Sequence, residues 1–259
     1  IRKRRIFDCV AQRAREMGYD AIATGHYARL DYDESRGAYY ISEGRDAHKD
    51  QSYVLFPLEQ DILANLFLPL GGFTKPEIRA EAGRYKLGVM NKPDSQEICF
   101  IPSNDYGTFL EKEYAAQEQK GNIVLKDGQV LGEHRGYFHY TRGQRRGLRV
   151  PFRERLYVIQ TDRDKNEVLV GTKEDVYSKR FLVKRINWFL RPAADTFQAH
   201  VKIRSQHRKA WASVKLTADG SAEVQFEDPQ DSITPGQASV FYDGDKVLGG
   251  GWVESLLEN

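Results

Sequence analysis

The chain has 259 residues, 40% of them hydrophobic, with 39 basic and 37 acidic side chains for a formal charge of +2. That is enough apolar material for one large domain or two to three small ones, and so even a balance that any affinity for nucleic acid must come from local patches. No stretch approaches the roughly 20 apolar residues of a membrane-spanning helix, no apolar run follows Ile1-Arg2-Lys3-Arg4-Arg5 as a secretory signal requires, and Cys9 and Cys99 are too few for a disulfide framework and lie in no zinc-spaced cluster, so a cytoplasmic protein without membrane contact or structural metal is expected.

Ile6, Val10, Ala14 and Met17 recur at helical spacing with Arg13, Arg15 and Glu16 opposite, which predicts a helix that Gly18 stops. Cys9 falls beside Val10 on the apolar side and is expected to be buried and inert. Tyr19 to His26 reads as a short apolar strand running into a glycine turn, and a helix followed by such a strand is the unit of a parallel α/β sheet. Thr74-Lys75-Pro76-Glu77 has the spacing of a capping box, with Ile78, Ala82 and Tyr85 marking one face of the helix behind it. From about residue 120 the pattern becomes β. Hairpins are predicted over Asn122 to Leu131, Leu156 to Val170 and Ala238 to Leu248, and strands over Ala199 to Arg204, Lys209 to Leu216 and Ala222 to Phe226, a spacing that suits small barrels. Arg180 to Thr196, with Pro192, is expected to be a joint between two β modules.

Three segments could carry chemistry. Ala23-Thr24-Gly25-His26-Tyr27 places a glycine after a strand, where a nucleotide can approach the backbone; taken alone it reads as a bland turn. Cys99, in Asp94-Ser95-Gln96-Glu97-Ile98-Cys99-Phe100-Ile101, is either a nucleophilic or sulfur-carrying thiol or a small buried hydrophobe between Ile98 and Phe100. Gly136 to Arg149, with His134 and Arg135 before it, interleaves arginines, aromatics and glycines. Arg142, Arg145 and Arg146 could fork onto phosphates there, or the loop could simply be solvated. Lys49-Asp50-Gln51-Ser52-Tyr53, Lys202-Ile203-Arg204 and Gln206-His207-Arg208-Lys209 are weaker polar clusters, each by itself more a surface than a site.

Taken together, Ala-Thr-Gly-His-Tyr at 23 to 27, Lys-Asp-Gln-Ser-Tyr at 49 to 53, Asp-Ser-Gln-Glu-Ile-Cys-Phe-Ile at 94 to 101, Gly-Gln-Arg-Arg-Gly-Leu at 143 to 148 and Thr-Pro-Gly-Gln-Ala at 234 to 238, followed by Phe241-Tyr242-Asp243-Gly244, resemble the tRNA-specific 2-thiouridylases of the MnmA type in order and spacing. The resemblance spans essentially the whole chain. It implies an α/β plus β fold: the remainder of a Rossmann-like ATP-pyrophosphatase domain over residues 1–115, a small β-rich central domain over 116–180 and a C-terminal β-barrel over 181–259. It also implies a reaction, in which Mg2+ and ATP adenylate the C2 oxygen of a wobble uridine and a cysteine persulfide displaces AMP. An esterified oxygen can leave where a bare carbonyl oxygen cannot, and persulfide sulfur is a soft, strong nucleophile.

Residue by residue, the resemblance makes Cys99 the persulfide carrier and Gly25 a contact of ATP. It places His26, Lys49, Asp50, Gln51, Arg204, Ser205 and Gln237 against tRNA, and Arg142, Arg145 and Arg146 join them from the composition of their loop. The implied partners are tRNA and an upstream sulfur-relay donor, the implied state a monomer. The family's Ser-Gly-Gly-x-Asp-Ser phosphate loop and second catalytic cysteine fall upstream of Ile1, so ATP and Mg2+ are expected to be gripped through a segment this chain lacks. Ser205-Gln206 stand where the family usually has Tyr-Arg, and Arg142 stands where it has an aliphatic residue. Two readings follow, a tRNA sulfurtransferase and a non-catalytic tRNA-binding remnant. A third is a thiol-disulfide protein using Cys9 and Cys99.

Overall fold

The computed structural model describes residues 2–88 and 119–257; Cys99 and the other expectations between 89 and 118 lie outside them. The chain packs as two units, one joining the described part of 1–91 to 179–228 and 234–259, the other joining the described part of 92–178 to 229–233.

In the first unit, α1 (Arg2–Glu16) ends before Gly18, whose φ of +79° suits only glycine without cost. The helix buries a different stripe from the one expected: Phe7, Ala11 and, in part, Ala14 enter the core, whereas Ile6, Val10 and Met17 are exposed and Cys9 is an exposed free thiol. Both stripes have the helical period. The one carrying a phenyl ring wins, because an aromatic side chain removes more apolar area from water than Val or Met.

The strand expected over Tyr19 to His26 contracts to β1 (Ile22–Ala23), which pairs in parallel with β4 (Leu66–Phe67). Between them lie elements that no period announced: the hairpin of β2 (Ala28–Asp33) and β3 (Ala38–Glu43), and the short helices α2 (Ser52–Leu55) and α3 (Gln60–Leu63). The capping box of α4 (Lys75–Arg84) is present, Thr74 N–H donating to Glu77 at 2.7 Å. No residue of α4 is buried, however, and Tyr85 behind it is 70% exposed, so the helix stands on its cap and Pro76 rather than on the apolar face expected.

The rest of the first unit is a closed barrel of six strands: β9 (Tyr177–Trp188), β10 (Thr196–Lys202), β11 (Ala210–Leu216), β12 (Ala222–Asp231), β13 (Ala238–Asp243) and β14 (Lys246–Leu256). The sheet runs β13-β10-β11-β12-β9-β14, and β14 pairs back onto β13 to close it. The patterns say which faces are wet. On β10 to β12 alternate residues are buried (Ala199 and Val201, Ala212 and Val214, Ala222, Val224 and Phe226), whereas β13 is buried from Ala238 through Tyr242. A strand buried on both faces has a second layer, here the 52–58 segment, whose Tyr53, Leu55, Phe56 and Leu58 share a core with Ala238, Val240 and Tyr242. Gly250 permits that layer, since a Cβ there would meet Phe56 at 2.9 Å. Asn187 secures it by donating to the Phe56 and Leu58 carbonyls at 2.7 Å. The joint expected over Arg180 to Thr196 is thus strand as far as Trp188: Phe181 and Val183 are buried in period two, and the Pro192 that suggests a joint lies beyond the strand's end.

The second unit holds β5 (Gly121–Leu125), β6 (Val130–His134), β7 (Tyr157–Asp162) and β8 (Glu167–Gly171) in the order β6-β5-β8-β7, with β5 and β8 parallel. Its two hairpins turn where the sequence predicts, over Asp127-Gly128 and Arg163 to Asn166. Ile123, Leu148, Leu156, Val158, Val168 and Val170 form its core.

Candidate functional site

Beyond β1 the chain passes through Thr24, Gly25 and His26 at the carboxyl end of a parallel pair, the edge at which ligands collect in α/β sheets. The turn is stapled by Thr24 N–H to the Phe67 carbonyl at 3.0 Å and by a 3.0 Å contact of Thr24 Oγ1 with His26 Nδ1. Gly25 is exposed, and a Cβ on it would meet only Leu70 Cδ1 at 3.6 Å, so the fold around it does not itself demand a glycine.

The polar segments that look unremarkable singly meet at one buried node. Gln51 ties the 49–53 segment to the strand end: its N–H donates to the Tyr27 carbonyl at 2.8 Å, and its side-chain oxygen accepts from Tyr27 N–H at 3.0 Å. Asp50 points inward, accepting from Gly44 N–H, Ser52 N–H and Ser52 O–H at 2.9–3.1 Å and facing the Lys202 ammonium at 3.7 Å. Ser52 Oγ lies 3.2 Å from the Tyr242 hydroxyl, whose burial pushes its pKa up. The Tyr242 ring has Lys202 Nζ at 5.9 Å and Lys209 Nζ at 5.3 Å from its centroid, and Lys209 closes on Glu43 and the Gly244 carbonyl, each at 2.7 Å. Tyr53 O–H donates to the Ala238 carbonyl at 2.8 Å.

This node brings His26, Lys49, Asp50, Gln51, Arg204, Ser205 and Gln237 into one unit. Lys202 ends β10 just before Arg204 and the exposed Ser205, and Ala238 follows the exposed Gln237 in the turn at Gly236, φ +84°. Arg204 acts electrostatically on the Tyr53 hydroxyl, whose pKa burial raises. Of the expected RNA contacts here, Asp50 and Gln51 are spent on internal bonds, whereas Ser205 and Gln237 face water. Glu43 carries no sequence signal, and the motifs that contain Ser52, Lys209 and Tyr242 do not announce what these residues do here, because each acquires its role from a partner remote in the chain.

In the second unit, His134 ends β6 buried, its Nε2 3.1 Å from the Asn166 carbonyl, and burial holds its pKa below 6.5. The loop behind it is fixed from within. Arg142, expected to present its fork outward, turns it inward onto the Ile159 and Val176 carbonyls, and burial lowers its pKa. Gly143 N–H donates to the Val158 carbonyl at 2.8 Å, Val158 N–H to the Gln144 carbonyl at 2.9 Å, and Gln144 Nε2 to the Arg146 carbonyl at 2.9 Å. Leu148 plugs the core, and Arg145, Arg146 and Arg149 are exposed. Among the described residues no group of three or more His, Cys, Asp or Glu is placed to hold a metal ion, and no helix is long and apolar enough to cross a membrane.

The described residues thus comprise an α/β segment built onto a closed six-stranded barrel, and a second β unit with an arginine-rich loop. Family models match accordingly: a tRNA methyl transferase HUP domain over residues 3–103, a tRNA methyl transferase PRC-barrel domain over 107–172 and an aminomethyltransferase beta-barrel domain over 178–253. The chain is 45% identical over 251 residues to the tRNA-specific 2-thiouridylase MnmA of Geobacter metallireducens, covering 97% of this chain and 68% of that protein. It is 48% identical to the protein of the same name from Geotalea uraniireducens, covering 97% and 67%, and 43% identical to that from Koribacter versatilis, covering 95% and 68%. The chain belongs to the tRNA-specific 2-thiouridylase family of the MnmA type.

Proposed function

We propose that the protein is a tRNA sulfurtransferase that installs sulfur at C2 of the wobble uridine in an ATP-dependent reaction. The observation that carries this reading is the buried Asp50–Lys202 node, which holds together the strand end at Gly25 and three remote segments, Lys49 to Gln51, Arg204-Ser205 and Gln237. A nucleotide-facing turn and an RNA-facing surface must keep a fixed distance if one base is to be activated and attacked in place. Gly25 leaves backbone open beside the nucleotide; His26, Lys49, Arg204, Ser205 and Gln237 contact tRNA, and Asp50 and Gln51 position them from within. Bound with Mg2+, ATP supplies the adenylyl group that turns the uridine oxygen into a leaving group. Cys99 carries the sulfur as a persulfide: its terminal sulfur attacks C2, the C2–O bond breaks and AMP departs, and the thiol of the complete protein's second catalytic cysteine then attacks Cys99 Sγ, which breaks the S–S bond, frees 2-thiouridine and leaves a disulfide that a cellular thiol reduces.

In this reading residues 1–115 serve nucleotide and sulfur and lend His26 and Lys49 to the tRNA, which 116–180 and 181–259 hold. A relay protein recharges Cys99, and the enzyme works in the cytoplasm as a monomer. The test is complementation of a strain lacking 2-thiouridine with the complete gene and with its Cys99→Ser variant, read by mass spectrometry of tRNA nucleosides. The intact gene restores 2-thiouridine and the variant does not; thiolation by the serine variant overturns the mechanism.

A further inference from the structure

Between His134 and Phe152 the chain carries five arginines and no carboxylate. Several exposed arginines elsewhere close onto acids, as Arg13 does on Glu16, Arg29 on Asp245, Arg45 on Glu77, Arg84 on Glu81 and Arg191 on Asp195. Arg135, Arg145, Arg146 and Arg149 are exposed and enter no ion pair among the described residues. Like charges gathered on one loop repel one another, and nothing in this loop relieves the repulsion.

The loop is nevertheless not free to spread its charges apart. Arg142 locks it to the Ile159 and Val176 carbonyls, Gln144 ties its tip, and Leu148, Tyr137 and Tyr140 anchor it on the core of the unit. Arg149 is held at φ +53°, a left-handed conformation rare for a side chain of this kind, immediately after Leu148 enters the core. Backbone held in that region, at a position that sends a guanidinium outward, is a departure of the kind that clusters at ligand-binding sites. Arg135 follows His134, whose ring centroid lies 5.8 Å from that of Tyr140, and Arg149 precedes Val150, which packs against Gly132 of the same strand, where an added Cβ would meet it at 3.0 Å.

We propose that Arg135 and Arg149, flanking Tyr140, form a preordered seat for an RNA phosphodiester, that Arg145 and Arg146 take neighbouring phosphates, and that Arg142 is the positioning residue of the loop and touches no RNA. This rests on the tRNA reading above and deepens it by assigning the loop to backbone rather than base recognition. A guanidinium forks onto two phosphate oxygens, and a loop already ordered loses little entropy when it binds. Phosphate contacts carry no base information, so the seat sets register and affinity while sequence is read elsewhere.

The experiment is binding of an unmodified tRNA transcript, and of a duplex RNA hairpin of unrelated sequence, to the chain over a range of salt. The wild-type chain binds both. Arg135→Gln with Arg149→Gln weakens both RNAs at least about tenfold, as loss of charge-assisted bonds predicts, and flattens the plot of log affinity against log salt by about 0.7–0.9, the share of the one phosphate that the pair seats. Arg135→Lys with Arg149→Lys retains most of that slope. Arg142→Lys keeps the charge but replaces by a single ammonium the two nitrogens that Arg142 sends to separate carbonyls, so it weakens binding and leaves the slope unchanged. If the wild-type chain binds no tRNA, the functional reading fails and this inference with it. If it binds and the glutamine pair changes neither affinity nor slope, or weakens the tRNA alone, this inference alone is wrong. Circular dichroism of each variant separates a lost contact from a lost fold.

Discussion

The Lys202 ammonium faces the Asp50 carboxylate at 3.7 Å with both side chains nearly sealed from water, 10% and 5% exposed, and so joins β10 of the barrel to the segment that holds the turn at Gly25. A buried pair of this kind is worth little compared with a well-packed apolar pair, yet breaking it is costly because the surviving charge stays buried.

Asp50→Ala or Lys202→Met therefore destabilises the chain by about 3–5 kcal/mol in urea unfolding. The double variant Asp50→Asn with Lys202→Met recovers part of that loss, since it strands no charge. Two single variants each within about 1 kcal/mol of wild type would show the pair to be incidental.

Gly25→Ala separates a need of the fold from a need of the ligand. The added Cβ has ordinary contact distance to Leu70, and Gly25 is not among the glycines with positive φ, so the melting temperature stays within error of wild type. If the turn borders ATP, the complete protein carrying this variant shows a raised KM for ATP. A fall in melting temperature comparable to that of Asp50→Ala would instead make Gly25 structural.

Cys9 is labelled by a maleimide in the native chain without denaturant, because it lies exposed on the outer side of α1. Cys9→Ser leaves stability within about 0.5 kcal/mol of wild type, as an exposed substitution should. Protection of the native thiol, lost in denaturant, would contradict this placement.

His134 sets a pH dependence. Burial holds its folded pKa below the ordinary 6.5, and the Asn166 carbonyl opposes this only in part. The unfolded chain therefore binds the proton more readily, so stability from this group is full above pH 6.5, falls as pH drops through it and levels once the folded histidine is also protonated. His134→Gln flattens the decline between pH 7.5 and 5.5 in thermal unfolding of the second unit, followed by hydrogen exchange of β5 and β6. An unchanged profile would assign the decline to other groups.

The hairpins at Asp127-Gly128, Arg163 to Asn166 and Asp243-Gly244 and the capping box at Thr74 are legible because each is written in adjacent residues. The face of α1 is not, since two stripes share its period and only the partners α3 and β1 select Phe7 over Val10. For a similar reason β9 falls within the expected joint: Pro192 stands close behind it, and its inward Phe181 and Val183 count as strand only once β12 and β14 flank it.

The site divides along the same line. Motif order, Gly25 after a strand, the arginine content of the 135–149 loop and membership of the 2-thiouridylase family follow from the sequence alone, because type and spacing carry them. Only the tertiary structure decides that Asp50, Gln51 and Arg142 face inward while Arg145, Arg146, Ser205 and Gln237 face outward. A polar side chain is a ligand or a strut according to whether folding supplies it with an internal partner, and those partners, Lys202, Tyr27 and the Ile159 carbonyl, are up to 152 positions away in the chain.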